Sequence, residues 1–112
     1  MDEGFVRIAS LAEIPEGELR AFDSVVGRIA VVHVEQEWFG LADECPGDGA
    51  PLSEGALGQG EDTVICPGDA AEFDLRTGEP LAGPAVDAVA RYAVRLDDDG
   101  WVEVGRTLEG GS

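Results

Sequence analysis

Two identical strings carry both cysteines of the chain: Cys45-Pro46-Gly47-Asp48 and Cys66-Pro67-Gly68-Asp69. Small residues follow each, Gly49-Ala50 after the first and Ala70-Ala71 after the second. Each string offers a soft thiolate and a hard carboxylate on a Pro-Gly bend. Proline stiffens such a loop, and glycine lets its backbone approach an ion or cluster closely. Brought together, the strings would make a four-ligand site of Cys45, Cys66, Asp48 and Asp69. Cys-x-x-Asp is no established metal spacing, however. The same residues read equally well as two Pro-Gly-Asp turns whose cysteines are buried as small apolar groups. The residues alone leave both readings open.

Two such loops need a scaffold to hold them side by side. Short apolar runs punctuated by 16 Gly and 6 Pro point to an all-β domain. Strands are expected at Phe5–Ala9, Leu19–Val26, Arg28–Val34 and Trp38–Ala42, then at Thr63–Cys66, Glu72–Leu75, Ala88–Leu96 and Trp101–Val104. Ser10 with Glu13 reads as a capping box for one helical turn, stopped by Pro15-Glu16-Gly17. Gly27 and Glu35-Gln36 are turns, and Asp97-Asp98-Asp99-Gly100 is a hairpin tip. Between Asp43 and Asp62 no element is expected, and a stretch that long is usually functional or disordered. A further loop is expected at Pro80–Pro84 and fraying over the tail, 107–112.

His33, between Val32 and Val34, reads as an ordinary strand residue and not a ligand. Trp38, Phe39, Phe73 and Trp101 read as core or strand aromatics and not as a redox relay.

Charge narrows the function. Twenty-four Asp and Glu face seven Arg and no Lys, for a net charge of −17. Such a surface excludes a binder of the nucleic-acid backbone, which needs cations to displace counterions. It also argues against docking on an anionic membrane. No apolar window approaches the roughly 20 residues that span a bilayer. Met1–Ala9 lacks the cationic and apolar segments of a leader. Two cysteines are too few for a disulfide-stapled secreted scaffold, so the cytoplasm is the expected compartment. At 44% hydrophobic content the chain is expected to bury a real core as a single domain, 1–112. Gly55-Ala56-Leu57-Gly58-Gln59-Gly60 is glycine-rich but has acids nearby and no following lysine, so it is no phosphate loop. With one histidine, no Ser/His/Asp or Cys/His nucleophilic set is expected either. An enzyme in its own right is the weakest class.

From Phe5 to about Val104 the chain resembles the Rieske-type ferredoxins of multicomponent oxygenases. The resemblance is carried by Glu37-Trp38-Phe39, by Asp43-Glu44-Cys45-Pro46 and by Gly49-Ala50-Pro51-Leu52-Ser53-Glu54-Gly55. It continues through Val64-Ile65-Cys66-Pro67, Glu72-Phe73-Asp74-Leu75-Arg76-Thr77-Gly78 and Gly83-Pro84. It implies a Rieske-type antiparallel β-sandwich with a small two-loop cluster-binding subdomain, about 43–81. It further implies a [2Fe-2S] cluster and the role of single-electron carrier between a flavin reductase and a terminal oxygenase, as a monomer. In the family the two loops present Cys-x-His and Cys-x-x-His. Gly47 and Asp69 stand at those histidine positions here, and Gly68 and Ala70 also depart from the pattern.

Three readings of the altered loops follow. In one, the cysteines hold one iron, as the resemblance implies, and Asp69 with Asp48 holds the other. In the second, a cluster-free domain serves as an interaction or structural module, or is an altered ferredoxin. Its cysteines would still be neighbours, and a disulfide between them would stabilise by roughly 3 kcal/mol, although a cytoplasm favours thiols. The third, a mononuclear Cys2Asp2 site, ranks last, because structural zinc favours Cys and His. A folded domain without a cluster ranks ahead of carboxylate ligation.

Overall fold

The computed structural model describes residues 5–24, 27–46, 49–58, 62–68, 71–82 and 88–108. Within them, hairpins whose turns the sequence supplies build two antiparallel sheets. β1 (Val6–Ser10) runs into a 3-10 turn at Leu11–Glu13, where the Ser10 N–H donates to Glu13 Oε2 at 2.9 Å. β2 (Glu18–Ser24) and β3 (Gly27–Val34) pair in unbroken register from Glu18↔His33 to Ser24↔Gly27. β3 turns into β4 (Glu37–Ala42) through Glu35 and Gln36, both at positive φ (51° and 66°) as a type I′ hairpin requires. β5 (Ala56–Leu57), β6 (Thr63–Ile65), β7 (Glu72–Asp74) and β8 (Pro80–Ala82) form the smaller sheet in that order. β9 (Arg91–Leu96) and β10 (Trp101–Leu108) complete the larger one, ordered β1-β10-β9-β4-β3-β2 and curled until β1 approaches β2.

The expected all-β fold is present, and three local expectations are corrected. The Asp43–Asp62 stretch contains a 3-10 turn, Leu52–Glu54, and the strand β5. Pro80 begins β8 instead of a loop, because an edge strand does not need the N–H that proline lacks. β10 runs past Val104: Thr107 and Leu108 pair with Tyr92 and Arg91, so those two tail residues belong to the sheet. Gly105 lets the strand continue, since a Cβ there would meet the Phe5 ring at 2.9 Å. Val25, Val26 and the end of the tail (109–112) lie outside the described residues.

β3 decides where the core sits. Side chains of a strand alternate between faces, so Ile29 and Val31 point one way and Val32 and Val34 the other. The first pair packs with Ile14, Val102 and Val104 inside the curl of the large sheet. The second pair packs with Leu41, Leu52, Val64 and Phe73 between the two sheets. Burial on both faces explains why β3 is almost wholly apolar. No helix among the described residues is long and apolar enough to cross a membrane.

The β9–β10 hairpin is tied down by one carboxylate. Asp97 Oδ1 accepts the N–H groups of Trp101 and Asp99, each at 2.9 Å, and Arg7 Nε lies 3.2 Å from Oδ2. The Trp101 N–H above all, then the Asp99 N–H and Arg7, holds the Asp97 carboxyl below its ordinary range against the opposing effect of burial. A depressed folded-state value stabilises above the unfolded value near 4 and is lost as pH falls through the folded one. Asp97→Asn is therefore expected to lower Tm at neutral pH, with the gap to wild type closing below about pH 4. Melting curves across pH 2–7 check this; a gap independent of pH refutes it.

Candidate functional site

The two cysteine loops leave the ends of β4 and β6 and close in the same way. The Cys45 N–H donates to the Ala50 carbonyl at 2.7 Å, and the Cys66 N–H to the Ala71 carbonyl at 2.8 Å. The first loop has a second internal bond, Gly49 N–H to Cys45 O at 2.9 Å, with Gly49 at φ +77°. The two strings thus share one closing bond, from the Cys N–H to the carbonyl of the alanine five residues on.

Side-by-side placement comes from β5 and the 3-10 turn before it. Ala56 and Leu57 pair with Ile65 and Val64, and Gly55 lies directly over the second loop. A Cβ on Gly55 would overlap the Ile65 carbonyl oxygen and press on Pro67. Both cysteines end in one apolar core with Leu52, Val64, Phe73 and Leu75, at 1% exposure for Cys45 and 2% for Cys66. Gly47, Asp48 and Asp69 lie outside the described residues. Among the described residues, no three His, Cys, Asp or Glu side chains converge in a way that would hold a metal ion.

One arrangement was not anticipated from the sequence. The Asp43 carboxylate, two residues before Cys45 and fully enclosed, accepts the Ser53 N–H at 2.6 Å and the Ser53 hydroxyl at 2.9 Å. Arg28 Nε donates to the same carboxylate at 2.8 Å, and that bond keeps the guanidinium more firmly protonated than usual. The clamp fastens the start of the first loop to the 3-10 turn. An acid ten residues from a serine has no local signature.

His33 sits elsewhere. It shares the face of Ile29 and Val31, so β3 itself lies between it and the core that holds the cysteines. Its Nδ1 is 2.9 Å from the Ile14 carbonyl, and its ring stacks on Trp38 at 3.9 Å and 10°. The expected role as a strand residue holds. Phe73 is likewise fully buried, and Trp101 is a half-exposed strand aromatic.

Against this geometry, the Rieske-like [2Fe-2S] domain family matches residues 4–105. The chain belongs to that family. A 3-phenylpropionate/cinnamic acid dioxygenase ferredoxin subunit from Shigella flexneri is 41% identical over 88 residues, 78% of this chain and 80% of the relative. The ferredoxin of carbazole 1,9a-dioxygenase from Nocardioides aromaticivorans has the same fold at a TM-score of 0.84 and 29% identity, covering 91% of this chain and 97% of that one. A chain from a complex of reduced oxygenase and oxidized ferredoxin in carbazole 1,9a-dioxygenase also superposes at 0.84, with 25% identity over 96% of this chain and 100% of that one.

The family's cofactor is a [2Fe-2S] cluster. A Rieske centre replaces two of four cysteine ligands by two histidines on one iron. This Rieske-family chain has one histidine, placed behind β3. Its residues therefore do not fit that donor set.

Proposed function

We propose that this chain is the small ferredoxin-type component of a multicomponent oxygenase, working between a flavin-dependent reductase and a terminal oxygenase. That is the place of a single-electron carrier, and the chain is not itself a catalyst. The observation that carries the reading is the match to a dioxygenase ferredoxin subunit at 41% identity over 88 residues. The pair of cysteine loops, brought to one core, supports it. The component would be a single domain, 1–112, with 43–81 as its ligand-loop part, acting as a cytoplasmic monomer. A net charge of −17 suits docking on basic partner surfaces.

Carrying an electron needs a redox group, whereas docking needs only the fold. Docking is therefore the part to test first. Binding of the purified chain to the reductase and terminal oxygenase of a phenylpropionate/cinnamate-type dioxygenase should be saturable. It should weaken with ionic strength, because exposed charges are screened over about 8 Å at physiological salt. Absence of binding to both partners at low salt would overturn the reading.

A further inference from the structure

We infer that this chain holds its two cysteine loops side by side without a Rieske cluster, so that protein contacts alone keep them together. The inference depends on the family assignment and not on the docking proposal. Three observations lead to it.

The imidazoles are missing, and no rearrangement of a loop supplies them. One histidine exists, and it is held by the Ile14 carbonyl and Trp38 on the wrong face of β3. Reaching the cysteine core would require β3 to turn over, which would invert Ile29, Val31, Val32 and Val34 together. That inversion would take apart both cores.

Both cysteines are fixed from below. At 1% and 2% exposure they belong to the same core as Leu52, Val64 and Phe73, so that core places them whatever else they touch.

The loops are closed by their own backbone. Each has its Cys N–H to Ala carbonyl bond, the first is clamped by Asp43 on Ser53, and Gly55 brings the second against it. In metal-dependent small domains the binding free energy of the metal is the folding free energy. Here, cross-links within the protein hold the same place.

The test uses the full chain, expressed with ample iron and purified without oxygen. Iron, sulfide and zinc are measured, the visible spectrum is recorded, and thermal melting is compared with and without chelator. A second sample is first incubated with ferrous iron and sulfide. The expected result is far less than one metal per chain, no iron–sulfur charge-transfer bands, and a Tm that the chelator does not move. Stoichiometric iron and sulfide, or stoichiometric zinc, whose removal lowers the Tm, would overturn the inference, whichever side chains bind them. The double variant Gly47→His with Asp69→His tests the cause. Bands appearing only in that variant assign the loss to the two imidazoles, and a colourless variant that melts like wild type extends the inference to the whole loop pair. Partner binding is scored on the same colourless protein, so a failure to dock refutes the functional proposal without altering the metal result.

Discussion

Phe73→Ala is expected to remove about 3–5 kcal/mol of stability, the usual range for deleting a fully buried aromatic side chain. Phe73 is 0% exposed, lies on the middle of the small sheet opposite Val64 and Pro80, and packs in the core that contains both cysteines. For a domain of this size the loss corresponds to a fall in Tm of roughly 15–25 °C. Total stabilities are about 5–15 kcal/mol, so the variant is left close to the edge of folding. The effect should be uneven. Ile29, Val31, Val102 and Val104 form a second core inside the large sheet and do not depend on Phe73. Opening is therefore expected to begin at the small sheet, and the cysteine loops open with it. Thiol-reagent labelling of native protein should speed up in Phe73→Ala well before the far-ultraviolet signal is lost. Phe73→Leu, which keeps most of the apolar volume, should lose far less and label nearly as slowly as wild type. Unchanged labelling in a clearly destabilised Phe73→Ala would show that something other than this core shields the cysteines.

What the sequence made legible and what it hid differ in physical kind. The β2–β3–β4 meander could be read because its cues are local: alternating apolar residues, Gly27, and a two-residue turn at Glu35-Gln36. The paired loops could be read because the string repeats. β5 and the Leu52–Glu54 turn could not. They are too short to show periodicity, and they exist because Leu52 is buried between the sheets and Ala56 and Leu57 pair with β6. β8 was hidden by Pro80, a breaker everywhere except at an edge, and sheet order is a tertiary fact. His33 was legible as a strand residue from its neighbours, but its face was not. Only the division of β3 between two cores shows that it points away from the cysteines.

The same distinction bears on the charge. A net charge of −17 excludes classes of partner without saying what any one carboxylate does. Most acids here are surface groups, and exposed ion pairs such as Arg20–Glu18 or Arg76–Glu37 contribute about 0–1 kcal/mol each. Asp43 is of another kind, because it is enclosed and satisfied by three donors from two elements.

Asp43→Ala is accordingly expected to destabilise by about 3 kcal/mol. A hydrogen bond to a charged group contributes about 1.5–3 kcal/mol, and three on one carboxylate do not add. The Arg28 side chain is 55% exposed, so water can take over its solvation once the carboxylate is gone. Ser53 is half-buried, so leaving its N–H without an acceptor carries a penalty of up to about 1–3 kcal/mol. The loss is therefore expected to fall more at the 3-10 turn than at the arginine. Two controls separate this account from a general loss of packing. A double-mutant cycle of Asp43→Ala with Ser53→Ala should show a coupling of about 1 kcal/mol, because the two changes remove the same hydroxyl bond. The loss should also be nearly independent of salt, unlike that of an exposed pair. Urea denaturation supplies both numbers. Because Asp43 lies two residues before Cys45, amide exchange at Cys45 and Gly49 should quicken in the variant while β3 stays protected. A change under 0.5 kcal/mol, the usual range for surface substitutions, would mean that the first loop keeps its place without the clamp.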